Sequence, residues 1–212
     1  MKVVLINGSP NAEGCTYTAL REVEQILNDE GIETQLFQVG KKPVSGCIAC
    51  RSCFKTGHCF MDDSVKEVAA LFPEHADGLI LGSPVYYATM SGQISSFADR
   101  LFFSSMKERR FDYKVAAGIV SCRRGGAVGA FDDLNKYFLM NNMYVVGSQY
   151  WNMVHGSKPE EVKQDLEGLQ TMRRLGKNMA FLLRAFQAAK QLEVKEAVLE
   201  EEHIFTNFIQ GS

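Results

Sequence analysis

The sequence of 212 residues predicts an α/β fold, a doubly wound parallel sheet of five strands in the order 2-1-3-4-5 followed by a long C-terminal helix. Three observations carry this expectation. Short continuous apolar runs recur along the chain, a helical pattern of apolar residues follows each of them, and glycine, serine or proline marks the connection from run to helix. With 46% apolar residues, a chain of this length buries one core. One domain is therefore expected over residues 1–190, with a cysteine-rich insertion at 45–61 and a tail at 191–212.

The elements follow in order. Val3 to Ile6 reads as a buried strand, and Leu20, Val23, Ile26 and Leu27 recur at helical spacing until Gly31 stops the pattern. Thr34 to Val39 alternates as a second strand, after which the cysteine segment interrupts and Asp62-Asp63-Ser64 opens another helix. Leu79-Ile80-Leu81 is a continuous apolar run, followed by Gly82-Ser83-Pro84 and a helix carrying Ile94, Phe97, Ala98, Leu101 and Phe102 on one face. Val115 to Val120, the loop from Ser121 to Gly126 and a helix through Phe131, Leu134 and Phe138 form a further unit, and Met143 to Gly147 supplies the last strand. Right-handed crossovers leave few topologies open to such alternation, and ligands then bind outside the carboxyl ends of the strands. From Pro159-Glu160-Glu161 onward, Val162, Leu166, Leu169, Met172, Leu175, Met179, Leu182 and Phe186 form one helical stripe over some seven turns. Val198, Ile204, Phe205 and Phe208 have little left to cover within one domain, so a homo-oligomer, dimer or tetramer, is expected.

Charge and composition exclude several classes. Lysine and arginine number 23 against 25 acidic residues, scattered without a basic stripe, which argues against nucleic acid as a partner. The opening apolar run is too short for a signal peptide and no run reaches membrane-spanning length, so a soluble cytoplasmic protein without a membrane partner is expected. Four of the six cysteines lie within residues 47 to 59, which points to metal or redox chemistry ahead of disulfides.

Residues 8 to 18, GSPNAEGCTYT, join the first strand to its helix. Backbone N–H groups at a helix N-terminus lack intrahelical partners and carry the positive end of the dipole, and Ser9, Asn11, Cys15, Thr16 and Thr18 surround them with small polar side chains. Such a loop binds a phosphate monoester without lysine or arginine. The pattern is neither G-x-x-x-x-G-K-[ST] nor G-x-G-x-x-G, so FMN is the natural candidate; an ordinary capped strand-to-helix turn has the same look. In the second loop, Pro84 fixes the backbone and Val85, Tyr86 and Tyr87 offer an apolar and aromatic surface suited to a planar ring. In the third, Ser121 to Gly129, Gly125 and Gly126 let amides approach a ligand and Arg123 and Arg124 can face negative charge, although for at least one of them a solvated side chain is the better reading than a flavin contact.

GSPNAEGCT, SPVYYATMSGQISSFADR and the RGG of the third loop, in this order behind three strands, resemble the NADPH-dependent FMN reductase family of flavodoxin-like proteins from residue 1 to about 186. The resemblance implies that FMN phosphate falls to Ser9, Asn11, Gly14, Cys15 and Thr16, the isoalloxazine to Pro84, Val85, Tyr86 and Tyr87, and its pyrimidine edge to Ser121, Arg124, Gly125 and Gly126. The chain departs from the family at Cys15, where serine or asparagine is frequent; a thiol is a weaker donor, so backbone amides carry more of the binding.

Cys47, Cys50, Cys53 and Cys59 stand in the spacing C-x2-C-x2-C-x5-C. Turns of two intervening residues aim successive sulfurs at a common centre, as a cube of iron and sulfide requires. The bacterial ferredoxin run ends instead in C-x3-C-P, whereas five residues precede Cys59 here and Phe60 follows it. The segment resembles the iron-sulfur flavoproteins, a branch of the same family, which implies a [4Fe-4S] cluster on these four cysteines beside FMN. Zinc, and bare thiols or an adventitious disulfide, are the alternatives; structural zinc usually separates two ligand pairs by a longer arm.

Cys15 and Arg21 have the C-x5-R spacing of a low-molecular-weight tyrosine phosphatase, but the intervening residues carry no glycine and read as helix. His58, His75, His155 and His203 show no paired spacing. No acid, base or nucleophile stands out, as expected where a flavin performs the chemistry. The resulting expectation is an FMN-dependent oxidoreductase passing electrons from NAD(P)H, or from a ferredoxin-like donor, to a small acceptor such as a quinone or free flavin. Its alternatives are an electron carrier using FMN plus [4Fe-4S], and a flavodoxin-like binding protein without turnover.

Overall fold

Residues 1–195, 197, 198, 201 and 204 are described by the structure, a computed structural model. His203, Phe205 and Phe208 of the tail lie outside the described residues. In chain order the elements are β1 (Lys2–Asn7), α1 (Cys15–Asp29), β2 (Glu33–Gln38), α2 (Cys53–Thr56), α3 (Ser64–Ala69), β3 (Gly78–Tyr86), β4 (Thr89–Met90), α4 (Gly92–Ser105), β5 (Val115–Cys122), α5 (Ala127–Met140), β6 (Tyr144–Val145), β7 (Met153–His155), α6 (Pro159–Val162) and α7 (Leu166–Gln191).

The parallel sheet runs β2-β1-β3-β5-β6, which is the expected order once the short β4 takes a number. Successive residues of each strand feed opposite faces. Val4, Ile6, Leu79, Leu81, Ala116 and Val120 join Val65, Ile94, Phe97, Leu101, Leu134 and Phe138 under α3, α4 and α5. Val3, Leu5, Ile80, Val115, Ala117 and Ile119 join Leu20, Val23, Leu27, Met172, Leu175 and Met179 under α1 and α7. Burial on both faces explains why the strands read as continuous apolar runs.

The structure corrects the sequence reading in three places. Five strands were expected and seven are present among the described residues; one of the additional two arises because β3 continues through Pro84 to Tyr86 and folds back as an antiparallel hairpin with β4. The position expected for a single last strand at Met143 to Gly147 is shared: β6 pairs with the start of β5, and β7 pairs with its end at Val120, Ser121 and Cys122. The buried Asn152 bridges the gap, its Nδ2 donating to the Gly118 carbonyl at 3.1 Å and its own carbonyl accepting from Val120 N at 2.9 Å. The stripe that begins at Val162 is not one helix. Asp165 breaks it, accepting from Gly168 N at 2.9 Å as the N-cap of α7 and from His155 N at 2.7 Å, and the next residue, Leu166, is exposed. No helix among the described residues is long and apolar enough to cross a membrane.

Glu30, at the end of α1, ties that helix to α7 through Lys177 and Arg184. Hydrogen bonds from Lys177 and then Arg184 hold its carboxyl below the usual glutamate range. The folded chain thus keeps this carboxylate charged where the unfolded chain protonates it. Its contribution is complete above the ordinary glutamate range and is lost as pH falls through the lowered value. Glu30→Gln should therefore lower the melting temperature slightly at pH 7, with the difference from the parent closing toward pH 3, read from melts across that range.

Candidate functional site

β1 delivers Asn7, fully buried, to the carboxyl edge of the sheet. Its Oδ1 accepts from Ser9 N at 3.1 Å, and its Nδ2 donates to the carbonyl of Ala12 at 3.2 Å and to Gln38 Oε1 at 2.6 Å. Gln38, at the end of β2, donates in turn to the Ser9 carbonyl at 2.6 Å. One amide at the end of each neighbouring strand therefore shapes the loop from Gly8 to Gly14. Neither residue stood out in the sequence; a polar residue ending a buried strand is the signal that marks Asn7. The loop lies so close to β3 and α4 that a Cβ at Gly8 would meet Ile94 Cβ at 2.6 Å and the Gly82 carbonyl at 2.9 Å.

The helix behind this loop starts bare. α1 has Gly14 as N-cap, no side-chain capping bond and no acidic residue in its first turn. α5 starts in the same way on Gly126, whereas the other two long helices are capped by Ser91 and Asp165. Two uncapped N-termini thus face the same rim, each presenting unpaired amides and the positive end of a dipole. Helical geometry from Cys15 onward also removes the phosphatase alternative, since Arg21 lies within α1 and pairs with Glu24.

The side chains of the first and third loops meet directly. Thr16 Oγ1 and Ser121 Oγ, both buried, lie 2.8 Å apart, and Ser9 Oγ accepts from Asn11 N at 3.1 Å. Cys15 points elsewhere: its Sγ donates to the Gly156 carbonyl at 3.5 Å, and burial keeps the thiol above its ordinary range, with Glu161 and Glu160 adding to the effect. A neutral thiol beside an anion site adds no repulsion.

Pro84, at the end of β3, is the sheet neighbour of Ser121, which brings the second loop to the third. Val85 packs on the core, Tyr86 is half exposed and Tyr87 is wholly exposed at the hairpin tip. Tyr87 and Ala88 turn the chain with φ of 50° and 63°, a left-handed turn made without glycine. The tip presses on the start of α5, where Gly126 has φ of 86° and a Cβ would meet Ala88 Cα at 2.8 Å. Arg123 and Arg124 are exposed, and the Arg124 amide bonds the Cys122 thiol, whose value burial pushes up. The thirteen rim residues named from the sequence therefore lie at one edge of the sheet, on the ends of β3 and β5, the start of α1 and the connections between them, with Cys15 turned toward Gly156 rather than toward the shared centre.

The cysteine segment follows β2 and lies along α4. Lys107 Nζ donates to the Phe54 carbonyl at 2.8 Å, Arg110 Nη2 to the Gly57 carbonyl at 2.6 Å, and the rings of Phe54 and Phe103 are 5.3 Å apart. Cys47, Cys50, Cys53 and Cys59 line one cavity of about 330 Å³, open mouth included, together with Phe60, Arg100 and Phe103. All are free thiols, and among the described residues no three His, Cys, Asp or Glu side chains already converge as ligands of a single ion. Burial raises the Cys53 thiol, and charge on Cys50, Cys59 and Cys47 raises it further. Hydrogen bonds from Ser52 lower Cys50. Arg100, missed in the sequence, contacts Cys59; its signal is a charge three residues after Phe97, on the buried stripe of α4, whereas its neighbour Asp99 is exposed.

A family model for NADPH-dependent FMN reductase matches residues 1–158. An iron-sulfur flavoprotein of Methanocaldococcus jannaschii is 35% identical over 192 residues, covering 87% of this chain and 98% of the relative. An FMN reductase (NADPH) of Pseudomonas putida is 32% identical over 128 residues, 60% of this chain and 56% of the relative. Among solved structures, the NAD(P)H:quinone oxidoreductase from Methanothermobacter marburgensis superposes with a TM-score of 0.65 at 15% identity, covering 84% of this chain and 96% of that one. At that identity the likeness establishes the flavodoxin-like fold.

Proposed function

The chain belongs to the NADPH-dependent FMN reductase family, a family of flavin-dependent oxidoreductases, and from this premise we propose that it is an electron-transfer flavoprotein holding FMN at the rim and a [4Fe-4S] cluster in the cysteine cavity. The observation that carries the reading is the pairing of two features on one chain: two glycine-capped helix N-termini at one edge, and four thiols around one cavity. FMN and the cluster supply reversible two-electron and one-electron chemistry respectively when bound.

The residues fit both groups. The bare amides at the start of α1, the free proton of Ser9 Oγ and the proton that the Thr16 and Ser121 hydroxyl pair does not use form a donor set suited to a phosphate. Pro84, Val85, Tyr86 and Tyr87 would flank the ring, with one side left open to solvent at Tyr87. The amides of Gly125 and Gly126, the start of α5 and the exposed Arg124 would stabilise negative charge on the reduced ring. The thiols supply four anionic ligands, and Arg100 brings positive charge to the same cavity. The identity with an iron-sulfur flavoprotein over nearly its whole length supports this reading. A second reading, a reductase passing electrons from NAD(P)H to a small quinone or flavin, is favoured by the exposed hairpin tip at Tyr86 and Tyr87, where a small molecule could approach the rim, and by the similarity to an FMN reductase (NADPH).

Anaerobic purification followed by an absorption spectrum and metal, sulfide and flavin analysis tests the proposal. About four irons with acid-labile sulfide and one flavin per chain are expected. Flavin without iron after reconstitution would leave the reductase, and zinc in place of iron would also overturn the carrier.

A further inference from the structure

Arg100 sits within α4 with its side chain 1% exposed, and the whole donor capacity of its guanidinium is used. Nη1 donates to Asp63 Oδ2 at 2.6 Å and to the Ser45 carbonyl at 3.4 Å. Nη2 donates to Asp63 Oδ1 at 3.0 Å and to Cys59 Sγ at 3.3 Å, and Nε donates to the same sulfur at 3.4 Å. Asp63 is itself fixed, because its Oδ1 also accepts from Val65 N at 3.1 Å as the N-cap of α3. The guanidinium is thus clamped from one side by a carboxylate that a helix start orients, and on the other side two of its five N–H groups converge on one sulfur.

A neutral thiol is a weak acceptor, and a buried cation is compensated by acceptors that carry charge. Two donors aimed at Cys59 therefore make sense for an anionic sulfur of the kind a metal-bound thiolate presents. We propose that Arg100 is a positioning residue for the cluster on Cys47, Cys50, Cys53 and Cys59, and that its two N–H···S bonds to Cys59 raise the cluster's midpoint potential. This rests on the presence of the cluster proposed above. In the proposed carrier, reduced FMN or another one-electron donor would give one electron to the cluster and be oxidised by one electron, with no bond made or broken. The added negative charge spreads onto the ligand sulfurs, where hydrogen bonds and the nearby cation favour it. Asp63 opposes the effect by its charge while holding the guanidinium in place.

The test is a spectroelectrochemical titration, with EPR detection of the reduced cluster, on the anaerobically prepared holoprotein and on the Arg100→Gln, Arg100→Lys and Asp63→Asn variants, with iron and flavin counted in each. Arg100→Gln should make cluster reduction at least tenfold less favourable, a midpoint at least 59 mV more negative for a one-electron couple. Arg100→Lys keeps the charge and loses the fork, so a smaller shift of the same sign is expected. Asp63→Asn retains a good N-cap but leaves the guanidinium uncompensated, so the midpoint should move the opposite way. The flavin couple should stay where it is in all three. Unmoved midpoints at full iron content, or shifts of one sign in Arg100→Gln and Asp63→Asn alike, would overturn the role of Arg100 while leaving the cluster. Should Arg100→Gln lose iron, the sign of the Asp63→Asn shift decides. A parent protein with flavin and no iron removes the cluster reading itself before any variant is compared.

Discussion

Replacing Ser9 and Thr16 together by valine should weaken FMN binding by about 3–6 kcal/mol, two to four powers of ten in Kd, while riboflavin, which has no phosphate, binds as before. Ser9 Oγ already accepts from Asn11 N, so its own proton is left for an outside acceptor. The Thr16 and Ser121 hydroxyls, 2.8 Å apart and buried, share one proton between them and leave the other to donate. Each lost bond to a dianionic phosphate is worth about 1.5–3 kcal/mol. Valine at 16 preserves the branched shape within α1, so the helix start and its amides persist. Titrating the apoprotein with each flavin by fluorescence quenching separates the outcomes. Equal loss for both flavins would mean that the loop has collapsed, and no loss for either would place the phosphate elsewhere.

This loop also marks the boundary of what the sequence carries. The strands β1, β3 and β5 and the helices that follow them are locally encoded, since each apolar run ends in a glycine or serine connection and each helix repeats its apolar face. Asp63 and Gly31 punctuate helices as their residue types predict, the first as N-cap and the second just past the end of α1 with φ of 75°. β7 is different. Met153 to His155 is too short to signal a strand and becomes one by pairing with the end of β5. The break before α7 depends on an aspartate that answers His155 N as well as its own helix, a tertiary bond that periodicity cannot register. The β3–β4 hairpin turns on Tyr87 and Ala88 in the left-handed region, where glycine or asparagine would have announced it.

Site residues follow the same rule. Loops were legible where backbone and small side chains act within the loop, as at Ser9 and Gly126. Residues that act across the fold were not. Gln38 reaches Asn7 from the neighbouring strand, 31 residues away in sequence, and Arg100 meets Cys59 from 41 residues away. An arginine on a buried helix stripe announces that a partner exists, and the sequence does not say which. The cysteine spacing was legible as a motif, but the cavity that gathers all four sulfurs is closed from the far side by α4 through Arg100 and Phe103.

Cys53→Ala should abolish the cluster, taking iron from about four per chain to less than one and leaving only flavin absorption in the visible spectrum. Of the four cysteines proposed as ligands, Cys53 is the one the fold buries, at the first position of α2. Burial already raises its thiol, and charge on Cys50, Cys59 and Cys47 raises it further. Arg51 and Arg100 line the cavity and Arg100 is already paired with Asp63, so two arginines do not balance four thiolates; a bound cation would, which links metal entry to proton release. Removing the inner ligand leaves the two exposed cysteines, Cys47 and Cys50, and Cys59 with an incomplete shell. FMN content should be unchanged in this variant, because the rim loops do not depend on the segment for their hydrogen bonds. Cys15→Ser and Cys122→Ser provide the contrast. Both thiols are held neutral by burial outside the cavity, so both variants should retain four irons. Full iron in Cys53→Ala, or equal loss in the two serine variants, would show that the compact motif is not the ligand set.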